Sequence, residues 1–160
     1  MKLVFVVGFL CQIVATKSLA QDVHANNILE IRTRSKMWND YYNSRDSLGF
    51  YSLFDSSAVV VSLGGKWIGL EKCKSLCRSL YVKRPDIRWY NESTDIEVND
   101  QWPVGYETGN WSESWTENGD TTKSEIKGKY WMMWMRKNGS CYILSAIFTP
   151  LTCTGSYCNK

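Results

Sequence analysis

A chain of 160 residues with a formal net charge of +3 has the size of one domain. Its 19 basic and 16 acidic residues are interspersed, and no basic block exists, which argues against nucleic acid or an anionic membrane as the main partner. In chain order, the first segment is a leader. Met1-Lys2 gives a positive start, Leu3 to Val14 is almost wholly apolar, and Ser18-Leu19-Ala20 offers small residues at a cleavage site. This predicts a secretory signal peptide over 1–20 and an extracellular, soluble domain starting at Gln21. The apolar run falls well short of the ~20 residues of a membrane anchor. Without Lys2 and Lys17 the balance is seventeen basic to sixteen acidic residues.

Residues 22–45 read as a helix, because Ile28, Ile31, Ser35, Trp38 and Tyr42 recur at spacings of three and four. Asp46-Ser47 caps a second, short helix running to Phe54. Ala58 to Val61 is β-branched and strand-like, and Gly64-Gly65 ends it. A third helix, 69–81, carries the stripe Leu70, Cys73, Cys77 and Leu80 and cannot pass Pro85. The rest is β-rich. Strands are expected within Ile87 to Val98, over Val104 to Thr116, Ser124 to Arg136 and Ser140 to Thr149. A turn falls at Asn118-Gly119-Asp120 and a tight hairpin at Asn138-Gly139. The domain spans 21–150, and 151–160 is a cysteine-containing tail. Three helices followed by antiparallel strands make an α+β fold with helices on one face of a curved sheet.

Five cysteines follow the leader: Cys73, Cys77, Cys141, Cys153 and Cys158. Secretion makes all five disulfide candidates, and the odd number leaves one over. Neighbours at helical spacing, Cys73 and Cys77 rarely bridge each other; each pairs elsewhere or packs as a small apolar residue. Cys153 and Cys158 flank a turn-like Thr-Gly-Ser-Tyr and are placed to close a small loop. No metal site is expected, since there is no CxxC pair and the single histidine, His24, is remote from the cysteines. Asn91, Asn110 and Asn138 head N-x-S/T sequons, potential glycan acceptors, with Asn138 the most accessible.

The order of these motifs resembles a known superfamily. Phe54 to Val61, Gly64-Gly65 and Trp67-Ile68-Gly69 resemble a strand-and-glycine signature of the SnoaL-like, nuclear-transport-factor-2-like superfamily. Val104 to Gly109 resembles its central strand, and Gly128 to Gly139 with Tyr142-Ile143 its closing hairpin. The branch called domain of unknown function 4440 is the most similar, and the likeness covers roughly residues 26–149. It implies a cone, in which a curved sheet wraps the long first helix and encloses a pocket. Relatives of this kind include isomerases, dehydratases, hydrolases and assembly domains, so fold alone does not decide function.

The resemblance also provides a test for chemistry. Where ketosteroid isomerases keep an oxyanion tyrosine, a basic carboxylate and an oxyanion acid, this chain aligns Trp38, Ser62 and, within one residue, Trp131. An indole is a differently placed donor, and an unassisted serine is no base near neutral pH. One histidine, at the start of the first helix, excludes histidine dyads and Ser-His-Asp triads.

Carboxylates can replace the lost base only if they face inward. Glu107 interrupts an aromatic-rich strand, and strand alternation favours its facing solvent. Asp55 is expected to cap or end a helix, and Glu113 and Glu125 are expected to be exposed near strand ends. Of the chain's eight tryptophans most are core filling, while Trp38, Tyr42, Ser62 and Trp131 are the expected pocket residues. Trp131, Met133 and Met135 alternate with Tyr130, Met132 and Trp134, giving the closing hairpin two apolar faces and predicting a homodimer. The leading reading is a secreted, non-catalytic domain, without cofactor or metal, that binds a small hydrophobic molecule. Two others stand beside it: an enzyme of isomerase, dehydratase or hydrolase type using a carboxylate such as Glu107, and a structural module whose pocket is filled by its own rings.

Overall fold

The computed structural model describes residues 4–99, 101–117 and 119–159, with side chains described from Val23 to Cys158. Helix α1 (Val4–Ser44) is one continuous rod. The backbone of the predicted leader extends it, while the leader's side chains and residues 1–3 lie outside the described residues. From Ile31 onward its expected stripe is buried: Ile31, Ser35, Trp38 and Tyr42 all face the sheet. Arg45 takes a left-handed φ of 65° and breaks the rod. Asp46 then accepts a hydrogen bond from Gly49 N at 2.9 Å and caps α2 (Ser47–Tyr51). The second helix stops there rather than at Phe54, which already opens β1.

Strand β1 (Phe54–Ser62) turns at Leu63-Gly64 into β2 (Gly65–Ile68), an antiparallel partner that the glycine pair concealed. After α3 (Leu70–Lys83) come β3 (Arg88–Val98), β4 (Val104–Thr116), β5 (Lys123–Lys137) and β6 (Ser140–Thr154). The six strands lie in the order β2-β1-β6-β5-β4-β3. Only β1 and β6 run parallel, so the sheet is mixed, curved and unclosed. Asn138 and Gly139, at φ of 53° and 83°, form the two-residue turn between the paired Lys137 and Ser140.

Curvature comes from register shifts. Pairing slips between Lys127 and Gly128 and again between Met133 and Trp134, as expected of bulges that bend a strand. The first slip absorbs Pro150 opposite Gly128, so β6 continues to Thr154 instead of ending near Thr149. The tail then folds back in a single 3-10 turn (Ser156–Asn159), with Cys153 and Cys158 joined by a disulfide.

The edge strand β3 is fixed to α1 by two asparagines one helical turn apart. Asn39 donates to Asn91 O at 2.9 Å and accepts from Asn91 N at 2.7 Å. Asn43 does the same with Trp89 O (2.7 Å) and Trp89 N (3.0 Å). Their amides substitute for a neighbouring strand. With α1 held there, Trp38 becomes the centre of an aromatic core, its ring 4.8–5.9 Å from Phe50, Phe54, Trp89 and Phe148. Each such buried ring contributes about 1.5–3 kcal/mol. Among the described residues no helix is long and apolar enough to cross a membrane.

Candidate functional site

Between α1, α3 and the concave face of the sheet lies a cavity of about 300 Å³. This is at the small end of the ~300–1,000 Å³ typical of ligand sites. Its apolar wall is built by Trp38, Phe50, Phe54, Trp89, Trp111 and Phe148. The core rings therefore do not fill the cone. Trp38 and Tyr42 line the cavity from α1, and Ser62 reaches it from the end of β1. The indole Nε1 of Trp38 and the hydroxyl of Tyr42 are buried with no hydrogen-bond partner among the described residues. A ligand oxygen that meets either donor would relieve the cost of burying it unpaired.

Trp131 is not in the cavity. It lies on the opposite face of β5, half-buried and stacked on Tyr106 with centroids 5.7 Å apart. Its neighbour Tyr130 points inward, as do Met132 and Trp134, all buried. A one-residue shift along a strand exchanges its two faces, so Tyr130 and not Trp131 lies on the inner side.

The carboxylates also differ from expectation. Glu107 does not face solvent; it is 0 % exposed. Ser35 Oγ (2.5 Å) and Tyr130 Oη (2.7 Å) donate to its Oε1, and Trp134 Nε1 donates to Oε2 at 2.8 Å. It is a buried acceptor with both oxygens engaged, away from the cavity and unsuited to serve as a base there. Glu113, expected at the surface, is 8 % exposed and forms part of the cavity wall. Burial pushes its carboxyl up to about 7, against the opposing pull of Arg84, whose Nη1 lies 3.7 Å away. Asp55 caps no helix: on β1, it accepts from Ser57 N and Oγ at 2.9 and 2.6 Å, which hold its carboxyl below the usual range. Glu125 is half-buried and pairs with Lys127 at 2.9 Å.

Cys73 and Cys77, from α3, also line the cavity, and both are free thiols. Burial drives Cys77 up to about 12 and raises Cys73, so both stay protonated and act as small apolar wall groups. Cys141 is free and buried on the other side of the core, its N–H donating to Glu30 at 2.8 Å. The rim is completed by the C-terminal turn. Tyr157 packs edge-on against Trp115 at 5.1 Å and lines the cavity mouth. Lys83, the last residue of α3, and Arg84, just beyond it, also line the cavity.

Glu113, Arg84 and Tyr157 were missed from sequence. A signal for Glu113 exists: in Trp111-x-Glu113-x-Trp115 the acid must share the face of two inward tryptophans. The sequons separate clearly. Asn138 is exposed at the hairpin tip. Asn110 is half-buried and accepts from Lys129 Nζ at 2.6 Å. Asn91 is buried, with its Oδ1 accepting from Trp89 Nε1 at 2.7 Å, so it cannot carry a glycan in this fold.

No family model and no curated protein matches the chain. Solved structures do. One described as a putative scytalone dehydratase from Novosphingobium aromaticivorans superposes with a TM-score of 0.73 at 10 % identity, covering 84 % of this chain and 90 % of that one. A type 2 hexachlorocyclohexane dehydrochlorinase, LinA, gives 0.70 at 14 % identity, with 86 % and 91 % covered. An uncharacterised protein with a cystatin-like fold from Caulobacter vibrioides gives 0.68 at 8 % identity, with 79 % and 91 % covered. At these identities the likeness establishes architecture and does not reach as far as the branch named domain of unknown function 4440. The helix-wrapped, unclosed mixed sheet and these superpositions together give the chain the nuclear-transport-factor-2-like, SnoaL-like fold.

Proposed function

We propose that this is a secreted, non-catalytic domain whose cavity binds a small hydrophobic molecule. The observation that carries the reading is the cavity wall: a ring of aromatic side chains with three donors, Trp38 Nε1, Tyr42 Oη and Trp111 Nε1, buried without a hydrogen-bond partner among the described residues. Shape and lining suit a largely apolar ligand oriented by one or two acceptor atoms. Intrinsic tryptophan fluorescence should change saturably with an apolar ligand, and Trp38→Ala should weaken that response. A titration with no saturable change across a panel of apolar ligands would remove the reading.

Secretion rests on the leader motif, and homodimerisation on the half-buried apolar outer face around Tyr106, Trp131, Met133 and Met135. Protein collected from culture medium should begin near Gln21 and scatter light as twice the monomer mass; an intact Met1 or a strict monomer would refute the respective part.

One observation favours an enzyme instead. Glu113 is a carboxylate in the cavity wall whose proton affinity sits near neutral pH, as a general base requires. Two of the similar structures are described as a dehydratase and a dehydrochlorinase, chemistry that this fold can host. Elimination or isomerisation turnover abolished by Glu113→Gln would establish that reading with Glu113, not Glu107, as the base.

A further inference from the structure

The charges on the cavity wall are gathered at one end. Lys83, Arg84 and Glu113 stand at the mouth, where the end of α3 meets β4, while Trp38, Phe54 and Phe148 form the apolar interior. Arg84 is held by rings: its guanidinium carbon lies 3.6 Å over Trp115 and 4.9 Å from Tyr157. Its two carboxylate neighbours are more distant than hydrogen bonds, with Glu113 at 3.7 Å and Glu117 at 3.9 Å. The guanidinium is thus positioned without being saturated. Its planar fork suits a carboxylate approaching closely on two oxygens. Lys83, exposed at the same mouth, adds a second positive charge.

We infer that the ligand is an amphipathic carboxylic acid, its apolar chain among Trp38, Phe54 and Phe148 and its carboxylate at the mouth between Arg84 and Lys83. The inference rests on the pocket reading above and specifies its ligand class. An amine head group fits poorly, because two cations already occupy the mouth.

Glu113 gives the site a second property. It faces the same guanidinium as the ligand's carboxylate, so the two acids compete when both are ionised. The titratable groups around it are Tyr42 from α1, Cys77 and Lys83 from α3, Arg84 just beyond that helix, Glu117 just past the end of its own strand and Tyr157 from the C-terminal turn. Burial raises Tyr42 well above its ordinary range and Cys77 to about 12, so neither changes charge near neutrality. Glu113, raised to about 7 by burial, does. Below that pH it is neutral and can donate its proton in a hydrogen bond to the ligand's carboxylate. Above it, Glu113 is a rival anion. Acid binding therefore tightens as pH falls from 8 to 6, a range over which an aliphatic acid remains ionised in water.

Calorimetric titration of the full chain with decanoic acid and decanol, at pH 6 and pH 8, tests this. Decanoic acid should bind roughly tenfold tighter than decanol at pH 6. Its own affinity should rise roughly fivefold or more from pH 8 to pH 6. Glu113→Gln should flatten that dependence. Arg84→Gln should bring the ratio of acid to alcohol affinity close to one, and Arg84→Lys should restore part of it; near-ultraviolet circular dichroism checks that each variant is folded. Equal affinities for acid and alcohol, tighter binding of decylamine, or a pH-independent acid affinity would overturn the inference while leaving the pocket intact. Failure of all three ligands to bind would overturn the pocket reading itself, and this inference with it.

Discussion

Glu107 and Glu113 lie on the same face of the same strand, six residues or ~20 Å apart, yet they sit in opposite environments. Around Glu107 the cone is closed, and three donors from α1 and β5 engage both carboxylate oxygens. Around Glu113 the cone is open, and its neighbour is one cation beyond hydrogen-bond range. A buried acid with donors on both of its oxygens is part of the framework. One that is buried but under-satisfied is free to change protonation or partner. Position in the strand pattern does not separate the two; the count of donors does.

Breaking the closed end should have the largest effect. Glu107→Leu would leave Ser35, Tyr130 and Trp134 with buried, unpaired donors and should cost about 3–5 kcal/mol, read as a fall in the denaturant midpoint at unchanged slope. A loss below about 1 kcal/mol would show that water reaches this end and that the contrast is false.

At the open end the sign should reverse. Because the folded-state proton affinity of Glu113 is raised, from 4.5 to about 7, the native protein holds this proton more tightly than the unfolded chain. That contribution is fully present below about 4.5 and is lost as pH rises through about 7, where ionised Glu113 weakens the fold by roughly 3 kcal/mol. Glu113→Gln should accordingly be neutral or stabilising at pH 8, and should reduce the decline in stability between pH 5 and pH 8. A variant less stable than the parent at pH 8 would mean that the pair with Arg84 outweighs desolvation.

The smallest effect concerns the rim. The Cys153–Cys158 disulfide closes a short loop and places Tyr157 over Trp115. In the chain-entropy description such a loop contributes roughly 2 kcal/mol. Cys158→Ser should lower stability by about that amount or less, since the turn is peripheral, and it should weaken decanoic acid binding more than it perturbs far-ultraviolet circular dichroism. Binding unchanged by the substitution would detach the C-terminal turn from the site.

Much of the architecture was legible because it depends on local signals. The stripe from Ile31 to Tyr42 and the Asn138-Gly139 turn each act within a few residues. What failed depended on partners remote in sequence. Gly64-Gly65 reads as a stop until β2 is seen pairing back on β1, and Pro150 reads as an end until a bulge opposite Gly128 absorbs it. Alternation divides β5 into two faces but does not say which is inner, so Trp131 and Tyr130 exchanged roles. Alternation likewise could not reveal that Ser35, 72 residues away from Glu107, would meet its carboxylate. The cavity was legible as an expectation of the fold; its charges were not, because Arg84 and Glu113 meet only after the sheet curves.

The asparagine pair on α1 has a consequence for how copies of the chain meet. Growth of a sheet by addition of further strands needs free backbone donors and acceptors at both borders. Asn39 and Asn43 already occupy those of Trp89 and Asn91, so the first half of β3 has no backbone hydrogen bonds to offer an incoming strand. The opposite border is β2, four residues long. A strand added there would find a short template, matched at the far side only by the second half of β3, which disfavours continued assembly. In this protein a helix provides the defence against polymerisation that other sheets obtain from prolines and edge charges.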